Sequence, residues 1–329
     1  MSKNTYFVLM MLQLTISVNA STNVSAAGAE DNGDSPATFV HLGLLHTQDD
    51  FDRMHAQVPR GPSPWKEDWE RSIKNLHGAQ SWTPCAQPAV YRGSDSLVTE
   101  NNGIFHNDAA TAYALALRWK GSDDDVYADR AMAILDAWSE TLMELGGNGE
   151  KFLSSSLYGY QFANAAEIMR DYRKWPANRQ KRFQEMMVTI FYPMNRDFLA
   201  RRKGSKADHD SANWDLANMA SMAAIGVLAD RRDIYDEAIG YFKLGTGNKA
   251  IEHSKRRNPP GQTLGQTQKI AQDQSHDALL TSLVSAFCQT VWEDHNNLFG
   301  DDDNLASKGM KSSPVEMYIE KLSPVGSGR

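Results

Sequence analysis

The sequence predicts an all-α fold, an (α/α) toroid or incomplete barrel of antiparallel helix hairpins. From residue 107 onward, apolar side chains recur at helical spacing in one segment after another. The alternation of Val, Ile and Thr that is typical of strands is nearly absent. Short charged turns separate the helical segments, and Asp125-Val126-Tyr127 resembles Asp233-Ile234-Tyr235, so a repeated hairpin is predicted. An open solenoid of the same hairpins is the alternative.

Each helix is predicted from its own apolar face. Residues 74–103 contain several Pro and Gly residues and are predicted as a loop. Loops 201–208 and 245–275 are longer than packing requires, and long loops on a rigid scaffold commonly carry function. The predicted helices are 42–58, 65–73, 107–119, 126–142, 158–172, 179–199, 209–228, 234–242 and 276–292.

Residues 1–20 have the pattern of a secretory signal peptide. Lys3 supplies the positive charge, residues 6–18 are mostly apolar, and Val18-Asn19-Ala20 offers small residues for cleavage. The apolar run is shorter than the roughly 20 residues that a spanning helix needs. The protein is therefore expected to be secreted and extracellular, with no membrane partner.

The rest of the chain is predicted to form one domain. Residues 21–37 are rich in Ala, Ser, Gly and Asp and are expected to be a disordered leader, in which Asn23 begins a glycosylation sequon. Residues 38–329 are expected to be the toroid domain. The chain ends soon after Asn304, so the ring is expected to lack its C-terminal part.

Composition excludes some classes of function. The chain of 329 residues has 34 Lys and Arg against 41 Asp and Glu, a net charge of −7, which disfavours a nucleic-acid partner. Two basic clusters, Arg201-Arg202-Lys203 and Lys255-Arg256-Arg257, are each interpreted as a solvated loop when taken singly. Nothing in the sequence fixes the oligomeric state.

The sequence indicates neither a disulfide framework nor a zinc site. Cys85 and Cys288 are the only two cysteines and make no disulfide framework; Cys288 lies in an apolar run and is predicted to be a buried thiol. Neither C-x-x-C nor H-E-x-x-H spacing occurs, so no zinc site is predicted. The acidic run 301–303 is interpreted as a solvated turn, with a calcium site as the alternative.

Polar clusters stand at the start of three predicted helices, in segments 158–167, 208–218 and 272–276. His209 and Asn213 are four residues apart, so a helix would project both from one face, and Trp214 follows directly. An imidazole, an amide and a flat indole together suit the binding of a sugar. The sequence therefore predicts a carbohydrate site at one end of the helices.

These segments resemble the alginate-lyase superfamily of polysaccharide lyases. The resemblance covers roughly residues 100–305. It rests on the ordered motifs Asp208-His209-x-x-Ala212-Asn213-Trp214-Asp215-Leu216, Gly265-Gln266-x-Gln268, Asp273-Gln274-x-His276, and Tyr158-Gly159-Tyr160-Gln161-Phe162-Ala163-Asn164-Ala165-Ala166-Glu167. The resemblance implies an (α/α) toroid. It also implies cleavage of an anionic uronic-acid polysaccharide, such as alginate or glucuronan, by β-elimination, a reaction that needs no metal or organic cofactor.

The chemistry of such a lyase assigns candidate roles. A polar group must neutralise the uronate carboxylate, a base must remove the C5 proton, and an acid must protonate the departing O4. His209 and Asn164 are the candidates for neutralising the carboxylate or for acting as the base. Tyr158 or Tyr160 is the candidate for the acid. The candidate substrate-binding residues are Gln161, Asn213, Trp214, Lys269, Gln272 and His276.

One position departs from the family pattern. Relatives tend to carry an arginine where this chain has Gln272, and a neutral amide cannot replace the charged contacts of a guanidinium. Lys269, three residues earlier, is a candidate source of the missing charge.

Structural roles stay open for the same side chains. His209 and His276 could cap or border a helix, Asn164 could form a hydrogen bond between helices, and at least one of Tyr158 and Tyr160 is expected to be a core aromatic.

Two other functions compete with the lyase. A hydrolase would need paired carboxylates, for which the sequence offers Asp208, Asp210, Asp215 and Asp273. A non-catalytic glycan-binding descendant is the second alternative, favoured by the missing arginine.

Overall fold

A computed structural model of the chain describes residues 39–63, 65–93, 98–206 and 212–247, and also residues 279, 282–284, 286, 287 and 290. This part is mostly helical, which confirms the predicted all-α class. None of its helices is both long enough and apolar enough to cross a membrane. The predicted signal peptide, leader, sequon and acidic run lie outside the described residues, as does Cys288.

Nine α-helices are described, and residues 75–101 separate the second from the third. They are α1 (Gln48–Gln57), α2 (Trp65–Lys74), α3 (Asn102–Ser122), α4 (Asp125–Thr141), α5 (Lys151–Ile168), α6 (Ala177–Met186), α7 (Tyr192–Arg201), α8 (Ala212–Leu228) and α9 (Arg232–Leu244). Short 3₁₀ turns occupy Leu76–Gly78 and Arg202–Gly204, and a π-helical turn, Met187–Phe191, joins α6 to α7.

Helices α3 and α5 lie side by side and run in the same direction. The Ser154 hydroxyl donates to the Asn102 side-chain oxygen, and four residues further along each helix Tyr158 packs on His106. The same order of contacts along both helices requires a parallel arrangement. Their amino ends therefore lie at the same end of the molecule.

Helix α8 runs parallel to α5 on its other side. The Ser221 hydroxyl donates to the backbone oxygen of Ser155 at 3.5 Å, and further along both chains Arg170 donates to the backbone oxygen of Leu228 at 2.6 Å. The amino ends of α3, α5 and α8 thus share one end of the bundle. Asn213 and Trp214 lie in the first turn of α8, whereas residues 158–167 lie in the middle and the carboxyl half of α5.

The intervening helices return in the opposite direction. The α6–α7 pair is antiparallel to α5, because Gln180 in α6 donates to the backbone oxygen of Arg170 at 3.0 Å while Ser155 donates to Asn195 in α7 at 2.8 Å. Residues 123–124 connect α3 to α4, and residues 229–231 connect α8 to α9. Helix hairpins are therefore present as predicted, and their closure into a ring stays a prediction.

Two short strands correct the prediction of a plain loop over residues 74–103. Strand β1 (Ala89–Arg92) pairs in parallel with β2 (Glu144–Gly147), with Ala89 opposite Glu144. Each strand has four residues, which is too short for an alternating pattern to stand out in the sequence. The pair matters for the site because its carboxyl ends lead to the amino ends of α3 and α5.

The core is aromatic where α3, α4 and α5 meet. The Phe105 ring packs against Trp138 at 4.9 Å, against Phe162 at 5.4 Å and against Phe191 at 5.9 Å between centroids, and all four side chains are fully buried. Burying a side chain of this size contributes about 1.5–3 kcal/mol. The cluster fixes the positions of α3 and α5 just below the end that carries the polar groups.

Candidate active site

The first turn of α8 presents an amide and an indole. Asn213 is buried, and its side-chain oxygen has no hydrogen-bond partner among the described residues. The half-buried Trp214 ring stacks on Phe198 of α7, with 5.5 Å between centroids and 28° between planes. The ammonium of Lys203 lies 3.7 Å from the centroid of the Trp214 ring. An ammonium, an indole and an amide therefore adjoin at this helix end.

The middle of α5 supplies a phenol and a second amide. The Tyr158 ring stacks on the imidazole of His106, with 5.2 Å between centroids and 23° between planes. Gln161 lies one turn further along, and its buried side-chain oxygen has no partner among the described residues. An unpartnered buried amide oxygen is costly in a folded protein, and a hydroxyl-rich ligand is one way to satisfy it.

Positive charge surrounds His106. Burial, together with the nearby His77 and Arg92, lowers the pKa of His106 to about 4, so its imidazole is neutral at neutral pH. Arg92 ends β1, and one of its terminal nitrogens is buried without a hydrogen-bond partner in the described part of the chain. The other lies 3.8 Å from a carboxylate oxygen of Glu150. The Arg92 guanidinium is thus only loosely neutralised.

The turn before α5 lies between these two groups of side chains. On one side, Glu150 is near Arg92. On the other side, a Cβ added at Gly149 would lie 2.8 Å from the Cδ atom of Lys203, so the lysine stem crosses directly over this glycine. One continuous surface results, which we call the amino-end surface: Arg92, His106, Tyr158, Lys203 and Trp214.

Asn164 and Tyr160 lie away from the amino-end surface. The Asn164 amide accepts a hydrogen bond from the backbone nitrogen of Leu45 at 3.3 Å and donates to the backbone oxygen of Tyr160 at 2.9 Å. The amide therefore ties the segment before α1 to α5. The Tyr160 hydroxyl is buried without a partner among the described residues, and burial, then the nearby Tyr113, raises its pKa well above the ordinary value. The two predicted tyrosines thus occupy different environments.

Four predicted site residues lie outside the described residues: His209, Lys269, Gln272 and His276. His209 precedes the first residue of α8, Ala212, by three positions in the sequence. The roles assigned to these four residues stay predictions.

The structure corrects the interpretation of one basic cluster. Arg202 is only 5% exposed and forms an ion pair with Asp215 in the first turn of α8, so it is not part of a solvated loop. Asp215 is 1% exposed. Of the four carboxylates considered for a hydrolase, it is the one that lies among the described residues, and it is already paired with Arg202.

Sequence reasoning missed Arg92 because it ends a strand that was predicted as loop. The sequence suggested that His106 and Asn107 open a helix, whereas α3 begins at Asn102 and His106 lies in its second turn.

The described residues offer little for metal binding or disulfide formation. No group of three or more His, Cys, Asp or Glu side chains that could hold a metal ion occurs within that part of the chain. Cys85 is an exposed free cysteine.

Comparison with known proteins identifies relatives of this fold. The family model for alginate lyase matches residues 84–254, which is more than half of the chain. Alginate lyase A1-III from Sphingomonas species A1 is similar in structure at 12% identity, with a TM-score of 0.53 over 79% of this chain and 75% of its own. An alginate lyase from Bacteroides ovatus gives 11% identity and a TM-score of 0.56 over 80% and 79%. No curated protein sequence matches.

Proposed function

Because the chain belongs to the alginate lyase family and is therefore a polysaccharide lyase, we propose that it cleaves a uronic-acid polysaccharide of the alginate or glucuronan type by β-elimination. The observation that carries the proposal is the amino-end surface, where two cations, a phenol and an indole adjoin. Cations suit the carboxylates of such a polymer, and an indole suits the face of a sugar ring. The amino ends of α3, α5 and α8 add partial positive charge.

The reaction divides into three tasks. A base takes the C5 proton of the uronate, the electron pair left behind forms the C4–C5 double bond, and the bond from C4 to the glycosidic oxygen breaks. The leaving oxygen takes a proton from an acid. Charge accumulates on the carboxylate as C5 is deprotonated, so hydrogen-bond donors and cations near that group stabilise the transition state.

We assign the proton transfers to His209 and Tyr158. His209 is the proposed base, and its place three positions before α8 supports this role, because Asn213 and Trp214 follow in the same helix. Tyr158 is the proposed acid, because its ring belongs to the amino-end surface. Asn213 is proposed to neutralise the carboxylate. The other candidate, Asn164, already uses its side-chain oxygen and its side-chain nitrogen in hydrogen bonds inside the protein.

Gln161 and Trp214 are proposed to contact the neighbouring sugars, and Gln272 and His276 to complete the subsites. This assignment rests on their neighbours, since Gln161 follows Tyr158 by one turn of α5 and Trp214 follows Asn213 in the first turn of α8. Secretion is part of the proposal and rests on the pattern of residues 1–20.

The experiment is an ultraviolet assay of the purified protein against polymannuronate, polyguluronate and glucuronan. β-Elimination creates an unsaturated uronate that absorbs in the ultraviolet, whereas hydrolysis creates new reducing ends without that absorbance. We expect absorbance and reducing ends to rise together on at least one polymer. Reducing ends without absorbance would establish a hydrolase, and binding without either product would establish a glycan-binding descendant.

Mass spectrometry of the protein from the culture medium would test secretion. We expect a mature amino terminus after Ala20. If the protein stayed with the cells and still carried residues 1–20, this part of the proposal would be contradicted.

The variant His209→Ala tests the proposed base. We expect at least a hundredfold loss of turnover, as is typical when a general base is removed, with an unchanged melting temperature. His55→Ala is the matched control, because His55 is exposed on α1 and far from α8 in the sequence. Full activity of His209→Ala would remove His209 from the mechanism.

A further inference from the structure

Contacts on both edges of β1 hold its carboxyl end in place. On one edge, Arg92 lies opposite Gly147 of β2, and a Cβ at Gly147, whose φ is 104°, would lie 2.1 Å from the backbone oxygen of Arg92. On the other edge, the side chain of Asn101 accepts a hydrogen bond from the backbone nitrogen of Tyr91 at 2.7 Å and donates to the backbone oxygen of Ala89 at 2.9 Å. Because Asn101 directly precedes α3, the position of Arg92 is fixed relative to this helix.

The guanidinium of Arg92 lies near groups of both α3 and α5. Its Nη2 atom is 3.8 Å from Oε2 of Glu150, the residue before α5. Burial is the main cause of the lowered pKa of His106 in α3, and the charges of His77 and Arg92 lower it further. The Nη1 atom of Arg92 is buried and has no hydrogen-bond partner in the described part of the chain. Arg92 therefore has N–H donors that these contacts do not use.

The contact with Glu150 is a weak ion pair. At 3.8 Å it exceeds the length of an N–H···O hydrogen bond, which is about 2.7–3.2 Å, whereas a guanidinium can bind a carboxylate through two such bonds. The Glu150 side chain is 44% exposed, so its carboxylate can leave Arg92 for solvent. Exposed pairs of this kind contribute little to stability. A carboxylate that formed both hydrogen bonds would therefore displace Glu150.

We propose that Arg92 binds a carboxylate of the polysaccharide and that Glu150 occupies the same place in the free enzyme; this inference rests on the proposed function. A uronate carboxylate supplies the two acceptor oxygens that match the guanidinium fork. The bound uronate would lie on the amino-end surface, close to the stacked rings of His106 and Tyr158. Arg92 would then determine the preference for an acidic sugar, and Glu150 would limit the affinity by competing with the substrate.

The chemistry favours an acidic sugar over a neutral one at Arg92. Losing one charge-assisted hydrogen bond weakens binding by about tenfold to about a hundredfold. A neutral sugar has no charge with which to replace Glu150, so the internal ion pair stays in place when such a sugar binds. Removing Arg92 and removing the charge of Glu150 should therefore change the binding of an acidic sugar in opposite directions and leave that of a neutral sugar unaffected.

Three variants test the inference: Arg92→Met, Arg92→Lys and Glu150→Gln. Arg173→Met is the matched control, because Arg173 also pairs with a partly exposed carboxylate, that of Asp125 at 3.4 Å, and follows the carboxyl end of α5. For each variant we would measure KM and kcat on the best polyuronate. We would also measure inhibition constants for a short uronate oligosaccharide and for the same oligosaccharide with its carboxylates reduced to alcohols.

We expect Arg92→Met to raise KM and the inhibition constant of the acidic oligosaccharide by about tenfold or more, and Arg92→Lys, which keeps the charge but loses the fork, to raise them less. Glu150→Gln should lower both constants by about twofold to fivefold, the range expected when an exposed ion pair no longer competes. The inhibition constant of the neutral oligosaccharide should not change, and Arg173→Met should behave as wild type. An equal loss for both oligosaccharides in Arg92→Met would show a structural role and overturn the inference, as would wild-type constants for this variant.

The double variant Arg92→Met/Glu150→Gln separates competition from simple repulsion. If Glu150 acts by occupying Arg92, its replacement should have no effect once Arg92 is removed, and the double variant should match Arg92→Met. A gain of about twofold to fivefold in the double variant would show that Glu150 repels the substrate directly and would overturn its role as a competitor. If Arg92→Met does not fold, Glu150→Gln alone decides, and unchanged constants would overturn the inference.

Failure of the proposed function would look different. A wild-type protein that gives no lyase product on any polyuronate would refute the proposed function. The affinities of the two oligosaccharides would then be measured by calorimetry, with the same expectations for each variant.

Discussion

At the scale of single residues, the two tyrosines of α5 show how position decides chemistry. Tyr158, near the middle of the helix, is buried and stacks on the half-buried His106, whereas Tyr160 has a buried hydroxyl without a partner among the described residues and a pKa raised well above the ordinary value. Only the first belongs to the surface where an acid could reach a sugar oxygen. Loss of a general acid typically lowers the rate by a factor of about 10²–10⁴.

We therefore expect Tyr158→Phe to lower kcat by about a hundredfold or more with little change in melting temperature. Tyr160→Phe is the matched control: it should leave kcat unchanged, and stability should be equal or higher by up to about 1 kcal/mol, because an unpartnered buried hydroxyl is removed. Steady-state kinetics and thermal unfolding of both variants check this. The reverse pattern of kcat losses would assign the acid to Tyr160.

Candidate site residues could be predicted from the sequence where a polar cluster opens a helix. Asn213 and Trp214 were identified in this way, and they lie in the first turn of α8. Tyr158 and Gln161 were identified on the same expectation, but α5 begins at Lys151 and both residues lie near its middle. Lys203 was not found, because three consecutive basic residues suggest a solvated loop. The burial of Arg202 against Asp215 depends on a contact between two helices, which no local pattern encodes.

At the scale of elements, a partly exposed cluster of charges around the buried Glu167 attaches the segment before α1 to the far end of α5. His41 donates from Nδ1 to Glu167 at 2.7 Å and from Nε2 to Asp230 at 3.0 Å. The hydrogen bond to the buried Glu167 is the main cause that raises the pKa of His41, and the carboxylate of Asp230 raises it further, while burial opposes both. The protonated imidazole is therefore the form that holds the segment in place.

The sign of the pH dependence follows from this shift. The pKa of His41 is higher in the folded protein than in the unfolded chain, where it has the ordinary value of 6.5. Below pH 6.5 the protonated imidazole therefore stabilises the fold to its full extent. This stabilisation is lost as the pH rises through the pKa of the folded state. We expect His41→Gln to lower the free energy of unfolding by about 1.5–3 kcal/mol below pH 6.5 and by progressively less at alkaline pH. Urea unfolding across pH 5–9 checks this. A difference that is constant with pH would show that the pKa of His41 is the same in the folded and the unfolded protein.

A second attachment joins the loop before β1 to α3 and α4. The buried carboxylate of Asp108 accepts hydrogen bonds from the indole nitrogens of Trp82 and Trp138 and from the backbone nitrogen of Cys85, each at 2.8 Å. Both carboxylate oxygens of Asp108 accept hydrogen bonds from N–H donors. An asparagine at this position would place its NH₂ group against at least one of these N–H donors, and that hydrogen bond would be lost.

Asp108→Asn is therefore expected to lower the free energy of unfolding by about 3 kcal/mol, measured by urea denaturation. Asp171→Asn is the control, because the exposed pair of Asp171 with Lys120 should contribute less than about 1 kcal/mol. Equal losses in the two variants would mean that the Asp108 contacts do not hold the loop.

Long helices could be predicted because their apolar positions repeat over several turns, but their boundaries depended on contacts elsewhere. Helix α5 begins at Lys151, seven residues before the predicted start, and its first turns carry Ser154 and Ser155, which bond to α3 and α7. The π-helical turn at Met187–Phe191 interrupts the predicted single helix 179–199. Serine-rich helix starts and π turns are stabilised by tertiary contacts, so a sequence pattern does not predict them.

At the scale of the whole molecule, the arrangement of α3, α5 and α8 supports the proposal that one end of the bundle carries the chemistry. Three parallel helices with antiparallel returns expose three amino ends on the same side, and each supplies unbonded N–H groups and partial positive charge. This local field stands against a net charge of −7 for the chain. If the substrate is a polyanion, as proposed, it is expected to experience repulsion at long range and attraction at contact.

The two opposing fields predict an unusual dependence of activity on salt. The Debye length falls from about 30 Å at 0.01 M to about 8 Å at 0.15 M ionic strength, so added salt first screens the distant negative charges and only later weakens the contacts at the amino-end surface. We expect kcat/KM on a long polyuronate to rise from 0.01 M to a maximum near ~0.1 M and to fall at higher concentrations. A short oligouronate is the control and should show a smaller rise, because fewer of its charges meet the repulsive field. A monotonic fall from the lowest salt for both substrates would mean that the local cations dominate at every distance and that the net charge of the chain does not influence the encounter.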